Sequence, residues 1–117
     1  MKDHKDLDVW KESIEVVTRI YSLTSSFPKE EMYGLANQMR RAAVSIPSNI
    51  AEGAARQTEK EFVHFLHVSL GSAAELETQL IIAEKLNFVQ EISSLLEMMV
   101  VLQKMLHGLI RHYCHKT

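Results

Sequence analysis

Four stretches of this chain carry apolar residues at alternating intervals of three and four, and only a handful of residues separates each stretch from the next. That spacing gives each helix one buried face, and such short connections make consecutive helices run antiparallel. The expected fold is all-α: an antiparallel up-down-up-down four-helix bundle. It forms a single domain over residues 1–117, with residues 1–6 a flexible arm. A chain of 117 residues can bury roughly two thirds of its unfolded surface, enough for one real core.

In helix one, residues 8–24, the expected inner stripe is Trp10, Ile14, Val17, Tyr21 and Thr24, and Ser25-Ser26-Phe27-Pro28 ends the pattern. Pro28 suits the first turn of helix two, where its missing donor costs little. Leu35, Met39, Ala42, Ile46 and Asn49 or Ile50 line that helix inward, with a stop at residues 53–56. Thr58-Glu-Lys-Glu61 has the spacing of a capping box and opens helix three. Its inner face is Phe62, Phe65 or Leu66, Ser69, Ser72 or Ala73, Leu76, Leu80 and Ala83, running to Leu86 with Asn87 as a left-handed terminator. Helix four, residues 90–112, points Ile92, Leu95, Met99, Leu102, Leu106, Leu109 and Tyr113 inward.

Helix two contains an anomaly. The run Ser45-Ile-Pro-Ser-Asn-Ile-Ala-Glu52 puts a proline, an asparagine and a glutamate along the side that the apolar residues mark as buried. Proline in a helix interior costs about 3 kcal/mol and frees a carbonyl, and buried polar groups need partners. A kink near Pro47 is expected. So is a polar network of Ser45, Pro47, Asn49, Glu52, Ser69, Ser72 and Glu75 that fixes the register of helices two and three.

Helix four also carries a second stripe, Met98, Val101, Met105, Gly108 and His112. It is either a broadened core face filled by methionines or a subunit interface, and a soluble monomer rarely leaves several hundred Å² of contiguous apolar surface in water. Met98, Val101, Met105 and His112 are taken as the interface, and a homo-oligomer is expected.

The segment at residues 34–53, together with Asp6-Leu-Asp-Val-Trp10, Phe27-Pro28 and Gly71-Ser-Ala-Ala-Glu-Leu-Glu77, closely resembles the four-helix-bundle family encoded in intervening sequences of bacterial 23S ribosomal RNA genes. Accessory proteins of diversity-generating retroelements are similar at a greater distance. The resemblance implies a ring of five subunits around a central channel. The retroelement relatives further imply a basic surface that meets nucleic acid and a partner polymerase.

Net charge is −2 with histidine neutral, so the chain does not coat nucleic acid by bulk charge. A local patch of Arg40, Arg41, Arg56 and Lys60 across the turn between helices two and three is the candidate contact, and a ring would repeat it around one axis. The expected binding is to RNA or DNA, weak, through backbone charge and without sequence preference. The alternative is a protein-interaction or self-assembly module with no nucleic-acid role. The most apolar stretch, residues 95–110, contains Glu97, Gln103, Lys104 and His107, so no membrane span is expected. One cysteine, Cys114, and no charged-then-apolar leader point to the cytoplasm.

No phosphate-cradling loop, nucleophile elbow or zinc-hydrolase helix is present, and neither an enzyme nor a cofactor is expected. Glu52 with Glu75 lacks the paired Glu-x-x-His motifs of a di-metal bundle, since Glu61-Phe-Val-His64 is a single copy. His64, His67, His112, Cys114 and His115 have ligand chemistry but not the spacing of a closed zinc site, so no metal is assigned.

Overall fold

The computed structural model describes residues 3–114. It contains four α-helices, α1 (Asp8–Thr24), α2 (Leu35–Ala54), α3 (Glu59–Lys85) and α4 (Ser93–Cys114), with 3₁₀ turns at His4–Asp6 and Lys29–Glu31. Among the described residues, close backbone approaches between the four helices run in a closed cycle, α1 to α2, α2 to α3, α3 to α4 and α4 back to α1, with none across either diagonal. This is the up-down-up-down bundle. Extents of 46 × 23 × 20 Å reflect the length of α3, whose 27 residues at about 1.5 Å each span roughly 40 Å.

The chain is already ordered at Asp3, where an arm through residue 6 was expected. The Asp3 carboxylate accepts the Lys5 backbone N–H at 2.8 Å, and the His4 ring stands edge-on to Trp10 at 5.2 Å. The start of the second helix also differs. Pro28 introduces a separate 3₁₀ turn, and α2 begins only after the non-helical Gly34, where the Glu31 carboxylate accepts the Leu35 N–H at 3.3 Å.

At α3, Thr58 Oγ1 accepts the Glu61 N–H at 3.1 Å, but the reciprocal half of the capping box is replaced by a bond from the Thr58 hydroxyl to the Glu61 carboxylate at 3.0 Å. The other end of α3 closes as expected. Asn87 takes φ 63°, its N–H donates to the Glu84 carbonyl and the Phe88 N–H donates to the Ala83 carbonyl, both at 3.0 Å. That is the Schellman pattern, with the Phe88 ring tilted at 51° against the buried Phe27, centroids 5.5 Å apart. Helix α4 starts three residues later than expected, because the Glu91 carboxylate accepts both the N–H and the hydroxyl of Ser93. Those bonds, the hydroxyl's first, hold the Glu91 carboxyl below the usual carboxylate value.

The α3 and α4 stripes are as expected for the most part. Leu66 and Ala73 take the buried places left open in α3, Gln79 joins them, and Ile110 is buried in α4 where Leu109 and Tyr113 are half-buried. In α1 Thr24 is buried as expected, but the other four positions of the stripe are shifted by one residue. Val9, Ser13, Val16, Ile20 and Thr24 are buried, while Trp10, Ile14 and Val17 are half-buried and Tyr21 is 44% exposed. Ser13 tolerates burial because its hydroxyl donates to the Trp10 carbonyl at 2.7 Å.

Candidate functional site

The anomalous segment of α2 lies against α3, the most extensively packed pair in the molecule. Pro47 is buried inside a helix that continues on both sides of it. Two hydrogen bonds cross to α3: the Ser45 and Ser72 hydroxyls meet at 2.8 Å, and buried Ser69 donates to the Ile46 carbonyl at 2.9 Å. Asn49 works within its own helix, its Nδ2 donating to the Ser45 carbonyl at 2.8 Å and the Ser45 hydroxyl at 2.9 Å. The carbonyl that Pro47 leaves without its helical donor is that of Ala43. The side chains of this network instead reach Ser45 and Ile46, the carbonyls one or two residues before the proline.

Two members of the expected network lie outside it. Glu52 is exposed and pairs with Arg56 at 2.9 Å. Glu75 is exposed, accepts the Gln79 amide at 3.3 Å, and shares a shallow groove of about 240 Å³ with Gln38, Arg41, Ala42, Ser45 and Ser72. Ser45 is therefore the hub. Replacing it by alanine strips a partner from both Ser72 and Asn49, and a polar group left unsatisfied costs about 1–3 kcal/mol. Asn49→Leu removes one donor from a carbonyl and hydroxyl with other partners, for about 0.5–1.5 kcal/mol. Urea titrations are expected to rank Ser45→Ala below Asn49→Leu in stability, and the reverse order would move the hub to Asn49.

The four basic residues do not form one patch. Arg41 and Arg56 are fifteen positions apart on a helical path, about 22 Å at 1.5 Å per residue. Arg56 is neutralised by Glu52 at 2.9 Å and Glu61 at 3.8 Å, with its guanidinium 4.8 Å from the Phe65 ring centroid. Lys60 is exposed beside it. Arg40 turns instead toward α1: Nε donates to Thr24 Oγ1 at 2.8 Å, Nη2 to the Tyr21 carbonyl at 3.4 Å, and its guanidinium lies 4.7 Å from the centre of the Tyr21 ring. Thr24 passes the bond on, donating to the Ile20 carbonyl at 2.7 Å. Beside this pair opens a groove of about 440 Å³ walled by Tyr21, Asn37, Arg40, Arg41, Val44 and Ser45. Two arginines and no carboxylate line it; Glu75 lies in the adjoining groove, which Arg41 and Ser45 also line.

On α4 the second stripe is only half covered. Met98 and Met105 are half-buried, the former accepting a contact from Arg19 Nη1 at 3.1 Å, while Val101 is 49% exposed and His112 is exposed. Met105 and Gly108 join Asp6, Leu7, Asp8, Val9 and Leu109 around an open socket of about 390 Å³ between α4 and the start of α1. A Cβ added at Gly108 would meet nothing within 4 Å.

The remaining candidates stay apart. His64 and His67 are exposed, His64 standing edge-on to Phe65 at 5.1 Å, and His112 stands edge-on to Tyr113 at 4.8 Å. His115 lies outside the described residues. Among the described residues no three His, Cys, Asp or Glu side chains converge to hold a metal ion, and no helix is long and apolar enough to cross a membrane.

The family model for 23S rRNA-intervening sequence proteins matches residues 5–108. The crystal structure of a protein with unknown function from the S23 ribosomal protein family of Bacteroides thetaiotaomicron superposes with a TM-score of 0.81. It covers 88% of this chain and 95% of its own at 24% identity, a likeness of fold. No curated protein matches the chain.

Proposed function

Because the chain belongs to the 23S rRNA-intervening sequence protein family, we propose that it is a non-enzymatic, cytoplasmic bundle that assembles with copies of itself into a closed ring, five subunits being favoured, and serves as an accessory factor to nucleic acid. The observation that carries the assembly is the open, largely apolar socket between the start of α1 and α4. Leu7, Val9, Met105 and Leu109 line it together with Asp6 and Asp8, Gly108 lines it with no atom within 4 Å of where a Cβ would stand, and exposed Val101 lies one helical turn from Met105. Glycine in a helix costs about 1 kcal/mol relative to alanine, so an unfilled glycine facing an apolar hollow suits a partner's side chain. The nucleic-acid part draws on Arg40 and Arg41, which face a groove without carboxylates in a chain of net charge −2.

Sedimentation equilibrium tests the assembly. The wild-type protein is expected to exceed the monomer mass of 13.4 kDa at micromolar concentration. Gly108→Trp fills the socket and Val101→Asp charges its neighbour, and each is expected to return the protein to monomers with unchanged helical content. A wild-type monomer defeats the proposal, as does an assembly indifferent to both substitutions. The second reading, a protein-interaction module without nucleic acid, is favoured by Tyr33, 96% exposed, and by Ile81, Ile82, Val100 and Val101, each 40–49% exposed. It takes over if the assembled protein binds no RNA or DNA at low salt.

A further inference from the structure

We infer that the groove between the end of α1 and the outer side of α2 binds single-stranded nucleic acid, with a base stacked on the Arg40–Tyr21 pair and the adjoining phosphate held by Arg41. This rests on the nucleic-acid part of the proposed function and specifies its site and the form of strand.

Three features of the groove lead to a single strand rather than a duplex. The first is a rigid stacking platform. Arg40 is fixed by bonds from Nε to Thr24 and from Nη2 to the Tyr21 carbonyl, which hold its guanidinium over the Tyr21 ring while Tyr21 as a whole stays 44% exposed. Unpaired bases stack on aromatic rings and guanidinium planes, whereas paired bases in a duplex offer no free face. The second is charge. Among the described residues Arg41 makes no ion pair and no carboxylate lines the groove, so a phosphate entering it meets Arg40 and Arg41. The third is shape and lining. Exposed Asn37 supplies hydrogen-bonding groups one helical turn before Arg41, exposed Val44 supplies apolar contact, and the hollow of about 440 Å³ is concave enough to receive a splayed nucleotide.

The platform was hidden in the sequence because Tyr21 falls on the apparent inner stripe of the first helix. The one-residue shift of the buried face turns it outward.

Fluorescence anisotropy on the assembled wild-type protein at low salt, with a short labelled oligouridylate and the same strand paired to oligoadenylate, tests the inference. The single strand is expected to bind more tightly. Tyr21→Leu is expected to weaken it by at least about fivefold while leaving the duplex unchanged, and Tyr21→Trp to restore it. Arg41→Ala is expected to flatten the dependence of log affinity on log salt by about 0.7 for each phosphate that the arginine neutralises. Thermal melts monitored by circular dichroism verify that each variant folds, as the partly exposed position of Tyr21 leads one to expect. Equal affinity for strand and duplex, indifference to Tyr21, or equally effective competition by polyglutamate overturns the inference and leaves the broader nucleic-acid reading standing. Absence of binding by either form overturns both.

Discussion

Replacing Gly53 by valine is expected to destabilise the protein by about 3 kcal/mol, the upper end of the usual cost of overpacking a core. The alanine variant decides the sign. A Cβ on Gly53 would stand 2.7 Å from Phe65 Cβ, 3.1 Å from Phe62 Cδ1 and 3.3 Å from the Phe62 carbonyl oxygen. Alanine favours the helix by about 1 kcal/mol over glycine, but two of those three contacts are with atoms that cannot rotate away. A Cβ and a carbonyl move only with the backbone of α3, so α2 and α3, the most extensively packed pair, must separate at this end. Gly53→Ala is therefore expected to lose stability despite its better propensity, and valine, with two more methyl groups, to lose more. Gly71, exposed and with nothing within 4 Å of a new Cβ, is the control. Gly71→Ala is expected to gain about 1 kcal/mol. Denaturant titrations of all three at one protein concentration, which matters if folding is linked to assembly, provide the comparison. A stabilising Gly53→Ala would show that α2 and α3 part more easily than their packing implies.

The four helices were legible because each repeats its apolar positions over several turns, and periodicity survives local exceptions. What the pattern could not supply was phase in α1. There two adjacent lines are apolar: Val9, Val16 and Ile20 on one, Trp10, Val17 and Tyr21 on the other. Large aromatics draw the eye to the second line, yet rings with polar tips are content at the margin of a core, and the branched aliphatics go inside. Ser13 concealed the true stripe, since its burial depends on a bond to its own helix. The helix starts at Leu35 and Ser93 depend on the carboxylates of Glu31 and Glu91, short-range contacts that spacing alone does not reveal.

For the site, legibility did not follow separation in sequence: bonds spanning 27 and 23 residues were foreseen, while one spanning 16 and an i,i+4 ion pair were not. Ser45, Ser69 and Ser72 were identified because α2 and α3 are joined by a short turn, which fixes their register. Glu52 was misplaced because Arg56, four residues on, offers a solvent-exposed partner at less cost than burial. Arg40 lies 16 residues from Thr24, and nothing in the intervening sequence announces that bond. Its removal from the shared basic patch, and its delivery to Tyr21, are facts of tertiary structure alone.

Phe62→Ala is expected to destabilise the protein more than any of the changes above, by about 3–5 kcal/mol, typical of a buried phenylalanine reduced to alanine. Phe62 is fully buried in the first turn of α3. Its ring meets Tyr113 of α4 edge-on at 5.1 Å, and its Cδ1 lies 3.1 Å from where a Gly53 side chain would begin, so three helices are joined at one residue. Since a domain of this size is stable by about 5–15 kcal/mol, the variant is expected near the edge of folding. The cavity it leaves also tests the account of Gly53. If the Phe62 ring were the main obstacle there, Gly53→Ala in the Phe62→Ala background would become stabilising, because the ring is gone and the helix propensity remains. The 2.7 Å contact with Phe65 Cβ persists in that background, and also when Phe65 is changed to alanine, because alanine keeps its Cβ. The double variants Gly53→Ala/Phe62→Ala and Gly53→Ala/Phe65→Ala are thus both expected to remain less stable than their glycine-containing parents. Rescue by either would mean that side-chain bulk, and not the approach of the two backbones, sets the distance between α2 and α3.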